Sequence, residues 1–463
     1  MKTKREKFNN RRGTALIIAM VFVIIFSALS VGMVTMTLNN ARSSVNHRTS
    51  NRAFENAHSG LEYIRYWLGR VAMPGTTAPG DRFSTLVTAI ETDLNAVGLA
   101  TTMTLDEFGD PTKLAISDFS IDTDQSFTVE IEKDANLDIL NINIEGEAGE
   151  VERNLNVKCN FGTRTHTVFD FGVATKGPLE LQGNIELNGT NVAVEADVYI
   201  ESANSTEALS IIGNSQIAGD VQITNPDATV YLQGGQAGIG GETGNDAIEN
   251  HVDIGVDDVE FPVPNPGYFE QYVETTFDPA VEDTSLDNTY RNIRIPGGTN
   301  PTFSGNTIIE GIIYIETPNI VTFTGNADIR GLVVGDGDIE DNSGTNQLIF
   351  QGSISSTSVS DLDEDFGTLR DETGTFLMAP GFSVGFGGNF STLNGAIAAN
   401  GITFFGNAGG TIGGSVLNYS DTPMVLSGNS DLFFNRSGVY EVPAGFGPEI
   451  ILHYNTASYR EGM

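Results

Sequence analysis

Residues 302–335 read TFSGNTIIEGIIYIETPNIVTFTGNADIRGLVVG, and one pattern occurs in them twice. A phenylalanine is followed by Gly-Asn at Phe303/Gly305-Asn306 and again at Phe323/Gly325-Asn326. Each copy leads into an apolar run interrupted by one glycine, Ile308 to Ile313 around Gly311 and Ile329 to Val334 around Gly331. The two Gly-Asn pairs lie 20 residues apart. The pattern recurs at Leu181/Gly183, Ile212/Gly213, Phe386/Gly388, Phe405/Gly406 and Leu426/Gly428, with spacings of 18 and 22 residues between the last three glycines. Short β-rich runs at such a period predict a parallel β-helix, each coil stacked on the one before it and burying its inward side chains. Glycine supplies the positive φ that a corner demands, and stacked Asn side chains can form hydrogen-bonded ladders along the corners. A β-sandwich with Gly-rich hairpins is the competing architecture, but its strands carry no such period.

The solenoid is expected in two parts, 171–240 and 300–440. Between them, residues 241–299 are acidic and contain Phe261-Pro262-Val263-Pro264-Asn265-Pro266-Gly267, which cannot continue a coil because proline lacks the ladder donor. A short helix is predicted from Tyr268 to Glu274, and the whole stretch reads as an excursion covering the side or the end of the stack. The order of coils around it is open. Upstream, residues 71–170 read as a connector with a short helix at Arg82–Val97, then a small antiparallel sheet from Phe127–Ile131, Leu137–Ile144 and Val151–Phe161. Residues 441–463 read as a C-terminal tail.

Charge narrows the functional classes. The chain has 463 residues, 60 Asp and Glu against 24 Lys and Arg, and a formal net charge of −36. Residues 1–70 hold 11 basic and 3 acidic residues, so the remainder carries −44. Such a body repels phosphate backbones, which excludes nucleic acid as its partner. The histidines His47, His58, His166, His251 and His453 have no metal-ligand spacing, and Cys159, the only cysteine, reads as a buried structural thiol. No phosphate loop occurs, and neither catalysis nor a cofactor is expected. The alternative is a surface enzyme acting on polysaccharide through an Asp pair meeting across two coils. Two acidic runs are candidates for Ca²⁺: Asp336, Asp338 and Glu340, and Asp361, Asp363 and Asp365 with Glu372 at the twelfth place of an EF-hand-like frame. Phe366 occupies the sixth place of that frame, where glycine is needed, so solvated loops are the competing reading.

At the N-terminus, Lys2, Lys4, Arg5, Lys7, Arg11 and Arg12 precede a stretch without charge that lasts until Arg42. Residues 15–34, ALIIAMVFVIIFSALSVGMV, are long enough for a helix to cross a hydrocarbon layer of roughly 30 Å. Ala53, Ala57, Leu61, Ile64 and Leu68 then recur at spacings of three or four, along one helical face. One helix over 14–70 is the simplest reading, set against the core of a secretory signal peptide cut near Ser30.

The run Arg11-Arg12-Gly13-Thr14-Ala15-Leu16-Ile17-Ile18, the long helix after it and Ala57-His58-Ser59-Gly60-Leu61-Glu62 resemble the N-terminus of PilX-type minor pilins and related type II secretion pseudopilins. The resemblance covers about the first 70 residues. It implies a leader over 1–13, cleavage after Gly13 by a prepilin peptidase, and a mature N-terminus at Thr14. It also implies anchoring in the inner membrane with the bulk outside the cytoplasm, and other pilin or pseudopilin subunits as partners. Major pilins of this kind carry Glu at the fifth mature position, where this chain has Ile18. By resemblance, subunits without that Glu sit at or near a filament tip. The expected whole is a long N-terminal transmembrane helix, a small antiparallel β region and a parallel β-helix head that adheres to a surface glycan or protein.

Overall fold

The computed structural model describes residues 12–75, 77–98, 101–341, 344–436 and 442–462. The chain divides into two compact units, Met1–Met73, Thr77–Gly162 and Ile451–Met463 in the first, Pro74–Thr76 and Thr163–Ile450 in the second.

The first unit is built on one unbroken helix, α1, Arg12–Arg70, of 59 residues. No proline interrupts the sequence before Pro74, and the predicted stripe of Ala53, Ala57, Leu61, Ile64 and Leu68 is buried. Against it lies a seven-strand sheet, in the order Ala72–Pro74, Glu449–Gly462, Val151–Arg164, Ile139–Ala148, Gln125–Lys133, Pro111–Asp122 and Thr101–Leu105. The strands from 101 to 164 pair antiparallel in chain order. Ile142, Ile144, Leu155, Val157 and Cys159 point inward, as period-two alternation requires. Helix α2, Arg82–Ala96, forms where expected and buries Phe83, Leu86, Val87, Ile90 and Leu94.

Two boundaries differ from the sequence reading. The expected connector holds the strands Thr101–Leu105 and Pro111–Asp122, whose alternation is obscured by a register shift between Ile116 and Phe119. The expected tail is a 14-residue strand, Glu449–Gly462, whose many polar residues hide its extended conformation.

The second unit is the β-helix. Its parallel strands stack into three faces, of twelve, nine and seven strands. Along the twelve-strand face the order is 252–254, 221–223, 198–200, 173–175, 416–418, 396–399, 375–379, 327–335, 307–315, 288–295 and 275–276, with Ile354–Thr357 as the twelfth strand, paired to 327–335 off this path. The chain therefore enters mid-stack and winds outward to Val252–Ile254. It then passes to the opposite end and winds back until its last coil lies beside its first. At that seam Val173, Ala174 and Thr175 register with Val416, Leu417 and Asn418. The other two faces close the same seam, Leu181 against Leu426 and Leu187 against Leu432.

The expected excursion is shorter than 241–299. Val252–Ile254 completes a coil at one end, and coils resume at Thr275–Thr276 and Asn288–Ile295, before residue 300. The motif missed the resuming coil because Leu286-Asp287 stands where the next coil has Gly305-Asn306, the Asp287 carboxylate accepting from the Asn306 amide at 2.8 Å. The Pro-rich stretch covers the outside of the twelve-strand face. Phe261 and Phe269 pack there in one cluster with Tyr199, Tyr314 and Tyr419, and the Tyr419 hydroxyl donates to the Pro262 carbonyl at 2.6 Å. Residues Pro266–Tyr272 form a 3₁₀ turn within it.

Inside the stack, Phe303, Phe323, Phe350, Phe386 and Phe404 form one column with ring centroids 4.8, 5.1, 5.4 and 5.0 Å apart. Leu426, Leu181, Ile211 and Leu232 continue it across the seam. At the corners, Asn214 donates to Asn184 at 2.8 Å and Asn326 to Asn306 at 3.0 Å. Gly183 and Gly213 take the expected positive φ, 131° and 92°. Gly325 does not, yet a Cβ there would stand 2.1 Å from the Gly305 carbonyl oxygen, so close stacking requires the glycine instead.

Candidate membrane and assembly helix

The first half of α1 is unlike any other surface among the described residues. Leu16, Ile17, Phe22, Ile24, Phe26 and Val31 are all at least 56% exposed, and the helix has an apolar window of mean hydropathy 2.8 with no residue buried. Its hydroxyls are turned back onto the helix. Ser27 Oγ donates to the Val23 carbonyl at 2.6 Å, Thr35 to Val31 at 2.8 Å and Thr37 to Met33 at 2.8 Å. These three hydroxyls thus find partners within the helix itself, which eases entry into lipid or an apolar bundle. Ile18, at 53% exposed, presents no carboxylate.

The second half of the same helix is held by the sheet. A Cβ on Gly146 would stand 2.2 Å from the Ala53 carbonyl oxygen and 2.3 Å from the Ala57 nitrogen, so strand and helix meet backbone to backbone. Asn56 donates to the Glu147 carbonyl at 2.6 Å, Arg153 to Ser50 Oγ at 2.9 Å, and the Tyr459 hydroxyl meets His58 Nε2 at 2.9 Å. These contacts leave one rigid rod, exposed and apolar at one end and clamped at the other.

Gly13 and Thr14 fall in the first turn of α1, while residues 1–11 of the expected leader lie outside the described residues. The calcium candidates are not brought together. Asp365 pairs with Arg291 at 2.7 Å, and Glu372 accepts from Tyr268 and Tyr272 at 2.5 and 2.7 Å. Asp361 and Asp363 belong to the 3₁₀ segment around them, and Phe366 is buried with the Arg291 guanidinium 4.0 Å above its ring. In the other run, Asp336 caps the Thr317 amide at 2.6 Å and Asp338 that of Glu340 at 3.0 Å.

Among the described residues, the acidic groups that do converge are Glu145, Glu147 and Glu152, with ligand oxygens within 4.8 Å of one another. Sequence reading missed them, although the register Glu147↔Glu152 follows once the hairpin at Gly149 is recognised. Burial first, and then the neighbouring Glu152 and Glu147, hold the Glu145 carboxyl above its ordinary range. Burial likewise pushes the Cys159 thiol up to about 11, as befits a structural cysteine.

Residues 12–62 match the family model of the PilX N-terminal region. No curated protein sequence matches the chain. Among solved structures, the competence-associated pilin ComZ from Thermus thermophilus is similar at 12% identity and a TM-score of 0.29, over 89% of this chain and 97% of that one. A glycosylated ice-binding protein from an Arctic yeast is similar at 12% identity and a TM-score of 0.21, over 60% of this chain and 97% of that one. At these scores the two structures carry no weight, and the family match rests on α1 alone. The N-terminal region of this chain is of the pilin type.

Proposed function

We propose that the chain is a minor pilin-like subunit of a type IV pilus or type II secretion-like filament, placed at or near the tip, with the β-helix as its adhesive head. The observation that carries this reading is the change of environment along α1, bare and apolar through Met36, then clamped under a sheet from Ala53 onward. A rod of that kind is held by lipid before assembly and by neighbouring helices after it, without refolding. Its role is structural, and its partners are other pilin subunits, a prepilin peptidase and the inner membrane, with the head outside the cytoplasm.

Cleavage after Gly13 fits this reading physically. Residues 1–13 carry six basic side chains and Glu6, and each basic residue near an anionic surface contributes roughly 1 kcal/mol of attraction. Their removal eases extraction of the helix into a filament core. Mass spectrometry of the N-terminal peptide from filaments sheared off cells is the test. A start at Thr14, abolished by Gly13→Lys with the protein retained in the membrane, supports the proposal. An intact Met1 or a start near Ser30 overturns it.

A further inference from the structure

The nine-strand face of the β-helix carries little charge. Six consecutive strands, Met424–Gly428, Ile402–Phe404, Ser383–Phe386, Gln347–Phe350, Ile320–Phe323 and Thr302–Phe303, contain no charged residue, in a chain with 60 acidic and 24 basic ones. The three remaining strands contribute Glu180 and Glu207. While the twelve-strand face is covered by the Pro-rich stretch, the outward residues of these six strands stay at least partly exposed.

Near the middle of this face lies Phe405, which points outward. A Cβ on Gly387 would stand 2.5 Å from its Cε2 atom, and one on Gly385 3.3 Å from its Cε1 atom. Both edges of the ring therefore rest on the neighbouring coil, and the two glycines let it lie across the sheet with its outer side half-buried. Ile349, Thr403 and Val425 extend an outward row through Gly385 on successive coils, flanked by the amide of Gln351 and the hydroxyl of Ser427.

We infer that this face binds a neutral glycan chain laid across the coils, with a sugar ring stacked on Phe405. This rests on the adhesive reading above and names its ligand class. An aromatic ring presented flat takes the apolar side of a sugar, and neighbouring amides and hydroxyls take its hydroxyl groups. Charge complementarity selects a neutral polymer, because the six-strand stretch offers no ion to pair with a charged ligand and the acidic body around it repels anions. Six strands at about 4.8 Å give a track of roughly 24 Å, long enough for several sugar units.

The test uses the full-length chain in detergent, run through native gels containing a neutral glucan, a mannan or a xylan, with alginate as the anionic control. Retardation by at least one neutral polymer and not by alginate is expected. Phe405→Ala should weaken it about tenfold, as the loss of a central aromatic contact does. Val425→Asp places a charge on the face without touching the inward column and should abolish it, with an unchanged circular dichroism melt as the check on folding. Retardation by none of the neutral polymers, equal retardation by alginate, or indifference to both substitutions overturns the inference. Co-purification with sheared filaments would survive such a result, which separates failure of this inference from failure of the proposed function.

Discussion

Gly146 is the residue on which the joint between helix and sheet depends. It lies in ordinary extended backbone, so its glycine is required by space alone, with Ala53 and Ala57 backbone atoms where a methyl would go. Those atoms cannot swing aside as a side chain would, so Gly146→Ala should destabilise the first unit by about 3 kcal/mol, at the upper end for overpacking. Faster hydrogen exchange across residues 139–157 is the readout. Gly60 differs, because a methyl there would meet the Ile144 and Phe127 side chains at 2.7 and 2.9 Å, which can adjust. Glu145 gives a pH dependence. Its carboxyl is raised above the ordinary 4.5 by burial and by its acidic neighbours, so the folded unit holds that proton more tightly than the unfolded chain. Stability from this group is present below the ordinary value and lost as pH rises through the folded one. Glu145→Gln should raise the melting temperature at neutral pH and leave it unchanged in acid, and equal shifts at both would remove this account. Neither residue stands out in the sequence, where Gly146 is one of 53 glycines and Glu145 one of 60 acidic residues.

At the scale of elements, α1 and the coils of the head were legible because each follows a period that the chain writes openly, although the motif named Phe405 where Phe404 joins the inward column and did not include Phe350. The helical stripe from Ala53 to Leu68 was read from spacings of three and four, and the Gly-Asn corners from a spacing near 20. The strand Glu449–Gly462 was not legible, since only two of its 14 residues are buried. The phenylalanine column also predicts where the head is vulnerable. Phe350 is fully buried between Phe323 and Phe386, with interplanar angles of 10° and 11°. Phe350→Ala opens a cavity inside a rigid stack and should cost about 3–5 kcal/mol, whereas Phe350→Leu, which keeps most of the volume, should cost clearly less. Denaturant melts of the two variants decide it, and equal losses would mean that ring stacking, not volume, sets the cost. The calcium runs show the limit of frame-matching. Alternating carboxylates were visible in the sequence, but the partners that occupy two of them are distant, Arg291 on a coil 74 residues away and Tyr272 in the Pro-rich stretch 100 residues away, with Tyr268 beside it.

For the whole molecule, the head is an insertion. Residues 163–450 leave the first unit after one strand, Val151–Arg164, and return through Glu449–Gly462, its neighbour in the same sheet. Arg164 and Glu449 form an ion pair where the two ends meet. Chain segments whose ends lie side by side can be removed without disturbing the host. Replacing residues 165–448 by a short Gly-Ser linker should leave hydrogen exchange in residues 139–157 unchanged, and loss of protection there would show that the two units fold only together. The order of the coils was beyond reach of the sequence for a physical reason. Coils with the same corners and the same inward apolar residues can each accept any other as a neighbour, so nothing local states that the first must lie beside the last.

The mid-stack entry of the head also sets a timetable for its synthesis. Thr175 and its partner Asn418 are 243 residues apart, so at 5–20 residues per second the first coil is made roughly 12–50 s before the coil that completes it. Through that interval one row of backbone donors and acceptors on each face has no neighbour, which invites pairing with a strand of another nascent chain. The growing head is thus most exposed to misassembly while its ribosome is still at work, and the hazard ends only when the last coil slots in.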